Sequence, residues 1–352
     1  MLFRSYNSAD LAKYLTAATR ISRQYPVVIS KFHENAKEIE IDAVAARGKI
    51  LTYAISEHVE NAGIHSGDST MVLPPQKIYR QTEKQIIAIA QKITRSLKIT
   101  GPFNIQFLAK NNKVMVIECN LRASRSFPFV SKVTGVNFIT VATKAILGIH
   151  APVYESNNIS YVGVKAPQFS FSRVRGADPI LRVEMTSTGE VACFGNDIHE
   201  AFLKSLISTG LKLPKKSVFL SLGGNDNKHE FLESAKILTA LGLKIYATKG
   251  TASYLKSNRV EAQKLYKIHE HQKPNVLDFL LTKKIDLVIN IVDPYFKKDF
   301  DDEYLIRRAA VDFGVPILTN LQTAKLFVQA ISQKKLTDLQ SLPWNAYVIH
   351  RN

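Results

Sequence analysis

Cysteine, tryptophan and methionine are scarce in this chain: 352 residues carry two cysteines, one tryptophan and four methionines. Cys119 and Cys193 are too few for a disulfide framework, so the cores must hold without staples, and a reducing compartment suits the chain best. No apolar run reaches the 18 or so residues that a membrane span requires, and there is no internal repeat or low-complexity tract. Residues 1–40 contain no GxGxxG or Walker-type loop, which excludes the common glycine-rich phosphate cradles there. Acidic residues are also few, 30 against 47 Lys and Arg, for a formal charge of +17. That excess is spread evenly about residue 210, with no basic run and no interleaved aromatics. It therefore reads as a solvated surface that attracts small anions, and neither nucleic acid nor membrane is expected as a partner.

What is present describes an ordinary globular protein with room for two domains: 45% hydrophobic and 22% charged residues. The first 23 residues are basic and partly amphipathic, as a mitochondrial presequence can be. Asp10 interrupts that pattern, and a folded helix with Ser8 as N-cap and Leu11, Tyr14, Leu15 and Ala18 on one face is the better reading. The location expected is cytoplasmic, with mitochondrial as the alternative. Strands follow at Val27–Phe32, Glu38–Ala45 and, after the turn Arg47-Gly48-Lys49, Ile50–Ser56. The second alternates Glu38, Glu40 and Asp42 against Ile39, Ile41 and Ala43, one face acidic and the other apolar. Helical spacing covers Gln76–Leu97 and Val136–Leu147, the latter ending at Gly148. Residues 149–160 read as a surface loop, and Lys212–Lys216, with Pro214 inside it, as the domain boundary. Beyond it, strands (Val218–Leu222, Lys244–Ala247, Leu287–Ile291, Pro316–Leu318) alternate with helices near Lys228–Leu241, Val276–Thr282, Asp302–Phe313 and Gln322–Ile331. This predicts a small parallel α/β sheet, doubly wound with helices on both faces.

Residues 101–132 are the most informative stretch. Phe103–Lys110 and Val114–Cys119 flank Asn111-Asn112 as a β-hairpin. Asn104 and Gln106 share one face of the first strand, while Glu118 and Asn120 close the second, with Arg122 and Arg125 just beyond. Hard divalent cations take oxygen ligands and arginine forks match phosphate oxygens, so this set suits a metal and a polyphosphate. An ordinary amphipathic hairpin with a polar outer face is the alternative. Cys119 faces the other way and reads as a buried small apolar residue. In Ala247-Thr248-Lys249-Gly250-Thr251-Ala252-Ser253 a strand turns into a helix whose N-terminal amides and threonine hydroxyls form an anion site, a weak signal by itself.

The wording of Glu118-Cys119-Asn120-Leu121-Arg122-Ala123-Ser124-Arg125-Ser126, with Phe127–Lys132, resembles the second ATP-grasp unit of the carbamoyl-phosphate synthetase large subunit. Glu57–Ser69 is similar to the segment of that family lying along the nucleotide, and Ala177-Asp178-Pro179 with Glu184–Val191 to its connecting stretch. Residues from about 217 to 330 resemble its methylglyoxal-synthase-like regulatory domain. The resemblance implies a partial ATP-grasp domain (α+β) over 1–210 and a methylglyoxal-synthase-like allosteric domain over 211–352. It implies ATP, with one or two Mg²⁺ or Mn²⁺ ions on Gln106, Glu118 and Asn120, and K⁺ as a further cation. Arg122 and Arg125, with Glu118 and Asn120, would carry the phosphorylation of carbamate. Glu38, Ile64, His65, Ser66 and Gln106 would line the nucleotide pocket, Glu38 on the ribose.

Lys228, Thr248, Thr251, Lys267 and Asn290 would hold an effector's anionic group. Lys267-Ile268-His269-Glu270 looks like the nucleotide-regulated pattern. Relatives that use N-acetylglutamate have an aromatic residue where Lys267 stands and asparagines where Asp293 and Glu303 stand, so a nucleotide effector is favoured. Glu60, Asp68 and Glu184 coincide with an amine-effector site of some relatives. Gly223-Gly224-Asn225-Asp226 lies elsewhere than the acid–base motif of methylglyoxal synthases, so no lyase activity is expected. In the family, the ATP-grasp unit begins well before the first residue of this chain. The missing lobe, the first synthetase half and a glutamine amidotransferase or ammonia source would be partners. The isolated chain is expected to turn over poorly; the alternative is a catalytically incompetent regulatory module.

Overall fold

The computed structural model describes residues 5, 7–21, 26–154, 159–293 and 297–348. The first part runs α1 (Ser8–Ile21), β1 (Lys37–Ala46), β2 (Lys49–Asn61), β3 (Met71–Leu73), α2 (Arg80–Ser96), β4 (Gly101–Lys110), β5 (Lys113–Asn120), α3 (Phe127–Thr134), α4 (Phe138–Ile146), β6 (Val162–Gln168), β7 (Gly189–Gly195) and α5 (Ile198–Ser208). Its seven strands form one antiparallel sheet in the order β5-β4-β1-β2-β3-β6-β7. The second part runs β8 (Ser217–Leu222), α6 (Asn225–Ala240), β9 (Lys244–Ala247), α7 (Lys249–Ser257), β10 (Gln263–Lys264), α8 (Val276–Leu281), β11 (Leu287–Ile291), α9 (Lys297–Asp312), β12 (Ile317–Leu318), α10 (Leu321–Gln333) and α11 (Trp344–Tyr347). Its five strands are all parallel, in the order β10-β9-β8-β11-β12.

Each sheet is covered on both faces, as the alternation demands. On the first, Ile39, Ile41, Phe103, Ile105 and Phe107 pack on Ile86 and Ala90 of α2. On its other face Val44 packs with Phe127, Val130, Phe138 and Val141 of α3 and α4. On the second, Val218, Leu220, Ile245 and Ile289 face α6, α7 and α10, while Phe219, Tyr246 and Val288 face α8 and α9. Phe202 and Leu206 of α5 share a core with Leu326 and Phe327 of α10, so apolar packing runs on between the two sheets.

Several local expectations are corrected. Asn7, whose side chain accepts from the Asp10 amide at 2.8 Å, caps α1 in place of Ser8. Val27–Phe32 is no strand: it joins neither sheet among the described residues, and Val28 and Ile29 are exposed. The helix expected from Gln76 begins at Arg80, because the Glu57 carboxylate takes the Gln76 and Lys77 amides at 2.8 and 2.7 Å and holds them outside it. Residues 155–158 of the expected loop and residues 1–4, 6, 22 and 23 of the presequence-like segment lie outside the described residues. The hairpin turn holds, with Asn111 and Asn112 at φ +52° and +60°, as a two-residue turn between twisted strands requires.

Candidate functional site

Strand β1 lies in the middle of its sheet with both faces covered, so its acidic face is buried with it: Glu38, Glu40 and Asp42 are each under 7% exposed. Burying three carboxylates side by side requires compensation. His58 of β2 supplies part of it, its Nε2 3.2 Å from Glu40 Oε1 and its Nδ1 3.0 Å from Ser69 Oγ. Burial alone would lower the His58 pKa, but the Glu40 hydrogen bond and the Glu38 and Glu40 charges outweigh it and raise the value. Burial pushes Glu40 the other way, and the same His58 pair with Lys165 brings it below the usual carboxylate range. The two groups therefore form a buried ion pair. Burial raises Glu38, with His58 opposing. Burial and the Glu40 charge push Asp42 up to about 6, against hydrogen bonds from Ser124, Ser126 and Asn104.

The register then lays two rows across three strands. Glu40 stands opposite Gln106, which stands opposite Glu118; Asp42 stands opposite Asn104, which stands opposite Asn120. Ile117 is the extra residue of a β-bulge between the Phe107–Val116 and Gln106–Glu118 pairs. The bulge reverses the parity of β5, so Val114 and Cys119 both pack toward α2 while Glu118 and Asn120 join the acidic rows. Burial pushes the Cys119 thiol up, which fits a packed and unreactive sulfur. Asn120 Nδ2 donates to Glu118 Oε1 at 2.8 Å, and Gln106 Nε2 to Ser66 Oγ at 3.4 Å. The donor set is carboxylate and amide oxygen on an open sheet edge, which fits a hard divalent cation.

The turn after β5 is fastened from below. Asp42 takes Asn104 Nδ2 at 2.8 Å, Ser124 Oγ at 2.5 Å and Ser126 Oγ at 2.6 Å. This anchor fixes the turn carrying Arg122 and Arg125. Arg125 reaches Ser187 Oγ at 3.1 Å and comes within 3.9 Å of Glu190, whereas Arg122 is exposed and its Nη1 donates to the neighbouring Ala123 carbonyl at 3.2 Å. His65 accepts the Gly67 amide on Nδ1 at 3.0 Å and its own amide donates to the Arg182 carbonyl at 2.9 Å, which ties the 65–69 segment to the connecting stretch.

In the second sheet the chain leaves β8 toward β9 and β10, then returns to β11 and β12 on the other side of β8. Ligands of open α/β sheets sit outside the carboxyl ends of the strands where the order reverses. Ser221 of β8, Thr248 after β9 and Asn290 of β11 stand at those ends. Ser221 and Thr248 hydroxyls are 3.4 Å apart, Thr248 and Thr251 hydroxyls 3.3 Å apart, and Lys228 Nζ lies 3.8 Å from where a Gly250 side chain would begin. Lys267 joins through Glu303, which also bonds Ser221 and Asn290. The five expected effector residues are thus gathered at one crevice.

The family described as "Carbamoyl-phosphate synthase L chain, ATP binding domain" matches residues 4–153, and "MGS-like domain" matches residues 230–319. The chain belongs to the carbamoyl-phosphate synthase large-chain family. It is 49% identical over 345 residues to "Multifunctional protein URA2" of Saccharomyces cerevisiae, covering 95% of this chain and 16% of that protein. Against "Multifunctional protein pyr1-3" of Dictyostelium discoideum the identity is 52% over 335 residues, covering 94% and 15%. Against human "Carbamoyl-phosphate synthase [ammonia], mitochondrial" it is 46% over 348 residues, covering 96% and 23%. The chain thus spans less than a quarter of the length of each of these relatives.

Within this carbamoyl-phosphate synthase segment, sequence reasoning named Glu38 but missed His58 and Glu40 as its neighbours and Asp42 as the anchor of the arginine turn. The acidic alternation of β1 was the available signal. A cavity of about 370 Å³ between the two sheets is lined by Glu60, Asp68, Thr319 and Thr323 among others. Glu60 accepts from the Thr70 amide and from Thr323 Oγ1, and Asp68 from Thr186 and Ser187. Glu184 is exposed and does not line it, so only two of the three amine-site positions come together. Among the described residues no helix is long and apolar enough to cross a membrane.

Proposed function

We propose that this chain is a working part of carbamoyl-phosphate synthase. Its portion 1–210 binds ATP with one or two divalent cations, Mg²⁺ or Mn²⁺, and phosphorylates carbamate; its portion 211–352 binds a small anionic effector that regulates the reaction. The observation that carries this reading is the pair of cross-strand rows ending in Glu118 and Asn120 beside an arginine turn held by Asp42. Gln106, Glu118 and Asn120 would hold the cation, which supplies charge neutralisation to the phosphates; K⁺ is a further, monovalent ligand of the same pocket. Glu38, Ile64, His65 and Ser66 line the nucleotide.

The reaction is attack of a carbamate oxygen on the γ-phosphorus of ATP, with ADP leaving and carbamoyl phosphate forming. It requires orientation and charge stabilisation but no nucleophilic side chain. Arg125, braced by Ser187 and Glu190, and Arg122, exposed at the surface, would meet the developing charge on the transferred group. Partners on this reading are the first synthetase half and a source of ammonia or a glutamine amidotransferase. The compartment is cytoplasmic, or mitochondrial as in the name of the human relative. A nucleotide is the favoured effector over N-acetylglutamate, with Lys228, Thr248, Thr251, Lys267 and Asn290 as its ligands.

Calorimetric titration of the purified chain with Mg-ATP tests the first site. Saturable binding that disappears in Glu118→Ala is the expected result. Binding that survives in the variant, or is absent from both proteins, overturns it.

A further inference from the structure

We propose that Glu303 is a built-in occupant of the effector crevice, so that an anionic effector binds there by displacing a carboxylate of the protein itself. This rests on reading the crevice as an anion site. Three donors from three different places converge on the one side chain. Lys267 Nζ lies 2.8 Å from Glu303 Oε1, Ser221 Oγ donates to Oε2 at 2.8 Å, and Asn290 Nδ2 donates to the same oxygen. An ammonium, a hydroxyl and an amide are the donors that a phosphate or carboxylate ligand would recruit. Glu303 is 6% exposed and comes from α9, on the far side of β11 from the α7 N-terminus.

The crevice is therefore divided. Around Ser221, Asn290 and Lys267 an internal carboxylate already satisfies the donors. The remaining half is Thr248 and Thr251, both buried at the α7 N-terminus with Lys228 nearby, and an anion held there would face Glu303 through Ser221, whose hydroxyl lies 3.4 Å from that of Thr248. Two like charges sharing one buried site repel. An effector that takes Lys267 and Asn290 must turn Glu303 out.

Displacement has a route to the rest of the chain. The Asn290 amide is shared: its nitrogen bonds Glu303, and its oxygen accepts from Arg307 Nη1 at 3.1 Å. Arg307 in turn clamps Asp178 of the connecting stretch at 2.6 and 2.7 Å. Four residues further on, the Arg182 carbonyl holds the His65 amide. Removing Glu303 from Asn290 thus perturbs an amide that links the crevice, through Arg307, to the stretch leading into the nucleotide segment.

The test uses the full chain and inorganic phosphate as the probe, by calorimetric titration at low chloride. The proteins are wild type, Glu303→Gln, Glu303→Ala and Glu303→Gln/Lys267→Met, each first matched to wild type by circular dichroism and melting. Phosphate is expected to bind Glu303→Gln at least ten-fold more tightly than wild type. Glu303→Ala must show the same gain and Lys267→Met must abolish it. Equal affinity in wild type and the Glu303 variants overturns the displacement while leaving the anion site standing. A gain that survives Lys267→Met places the phosphate elsewhere and also overturns it. Binding to none of the proteins overturns the anion site and the displacement together.

Discussion

Replacing Asp178 by alanine takes a two-pronged carboxylate partner from a buried guanidinium. Arg307 has no exposed surface, and Asp178 takes its Nε and Nη2 at 2.6 and 2.7 Å. Deleting one partner of a buried pair costs about 3–5 kcal/mol, because the other charge is left in a poor solvent. The opposite deletion is milder. Asp178 is 22% exposed and has Arg182 Nη2 at 3.9 Å, so Arg307→Met leaves a carboxylate that water reaches, at a cost of about 1–2 kcal/mol. With the guanidinium gone, removing Asp178 as well adds little, and the double variant should match Arg307→Met. A 352-residue chain with two sheets does not unfold in one step, so the assay must report on the second sheet alone. Hydrogen exchange of the β8 and β11 amides along a urea series does this. For a slope of about 2 kcal/mol per molar urea, Asp178→Ala lowers the midpoint by about 1.5–2.5 M and Arg307→Met by less than about 1 M. The reasoning is refuted if Asp178→Ala proves no more costly than Arg307→Met, or if the double variant is worse than the two singles combined.

Asp42→Ala releases Ser124 and Ser126 from beneath the arginine turn and should weaken Mg-ATP binding about ten-fold or more by calorimetry, a loss of about 1.4 kcal/mol for each factor of ten; unchanged affinity would show that the turn holds itself. The raised His58 contributes stability that is full below its unfolded value of 6.5 and is lost as pH rises through the higher folded value. The depressed Glu40 contributes stability present above 4.5 and lost as pH falls. Urea midpoints of the first sheet should therefore decline as pH rises above 6.5 in the wild type, and His58→Gln should flatten that decline. Asp42, raised to about 6, acts opposite to Glu40: its contribution is greatest below 3.8 and declines as pH rises to about 6, below the His58 range. Gly195→Ala would put its Cβ 2.6 Å from the Ala201 amide nitrogen at the start of α5, where backbone must shift. A drop of about 1–3 kcal/mol in stability is expected, read by thermal unfolding.

The sequence by itself determined the larger pattern: alternation in Glu38–Ala45, a two-asparagine turn between two strands, and strand–helix alternation after residue 216. These are local, since side-chain period and turn chemistry are written in neighbouring residues. They were enough to name Glu118, Asn120 and Gln106, and to place Thr248 and Thr251 at a helix N-terminus. Tertiary structure alone decided what surrounds them. Nothing in the wording of β5 announces the bulge at Ile117 that turns Glu118 toward Glu40 and Gln106, because register depends on the partner strand. Nor does the spacing of His58, Asp42 or Arg307 reveal a partner, when Asp42 meets Ser126 at a separation of 84 residues and Arg307 meets Asp178 at 129. Glu303 is the sharpest case. As a sequence position it was only a charge unwelcome to an acidic ligand; folding carries it into the crevice and makes it the ligand already there, because three donors brought together by the parallel sheet need an anion among them.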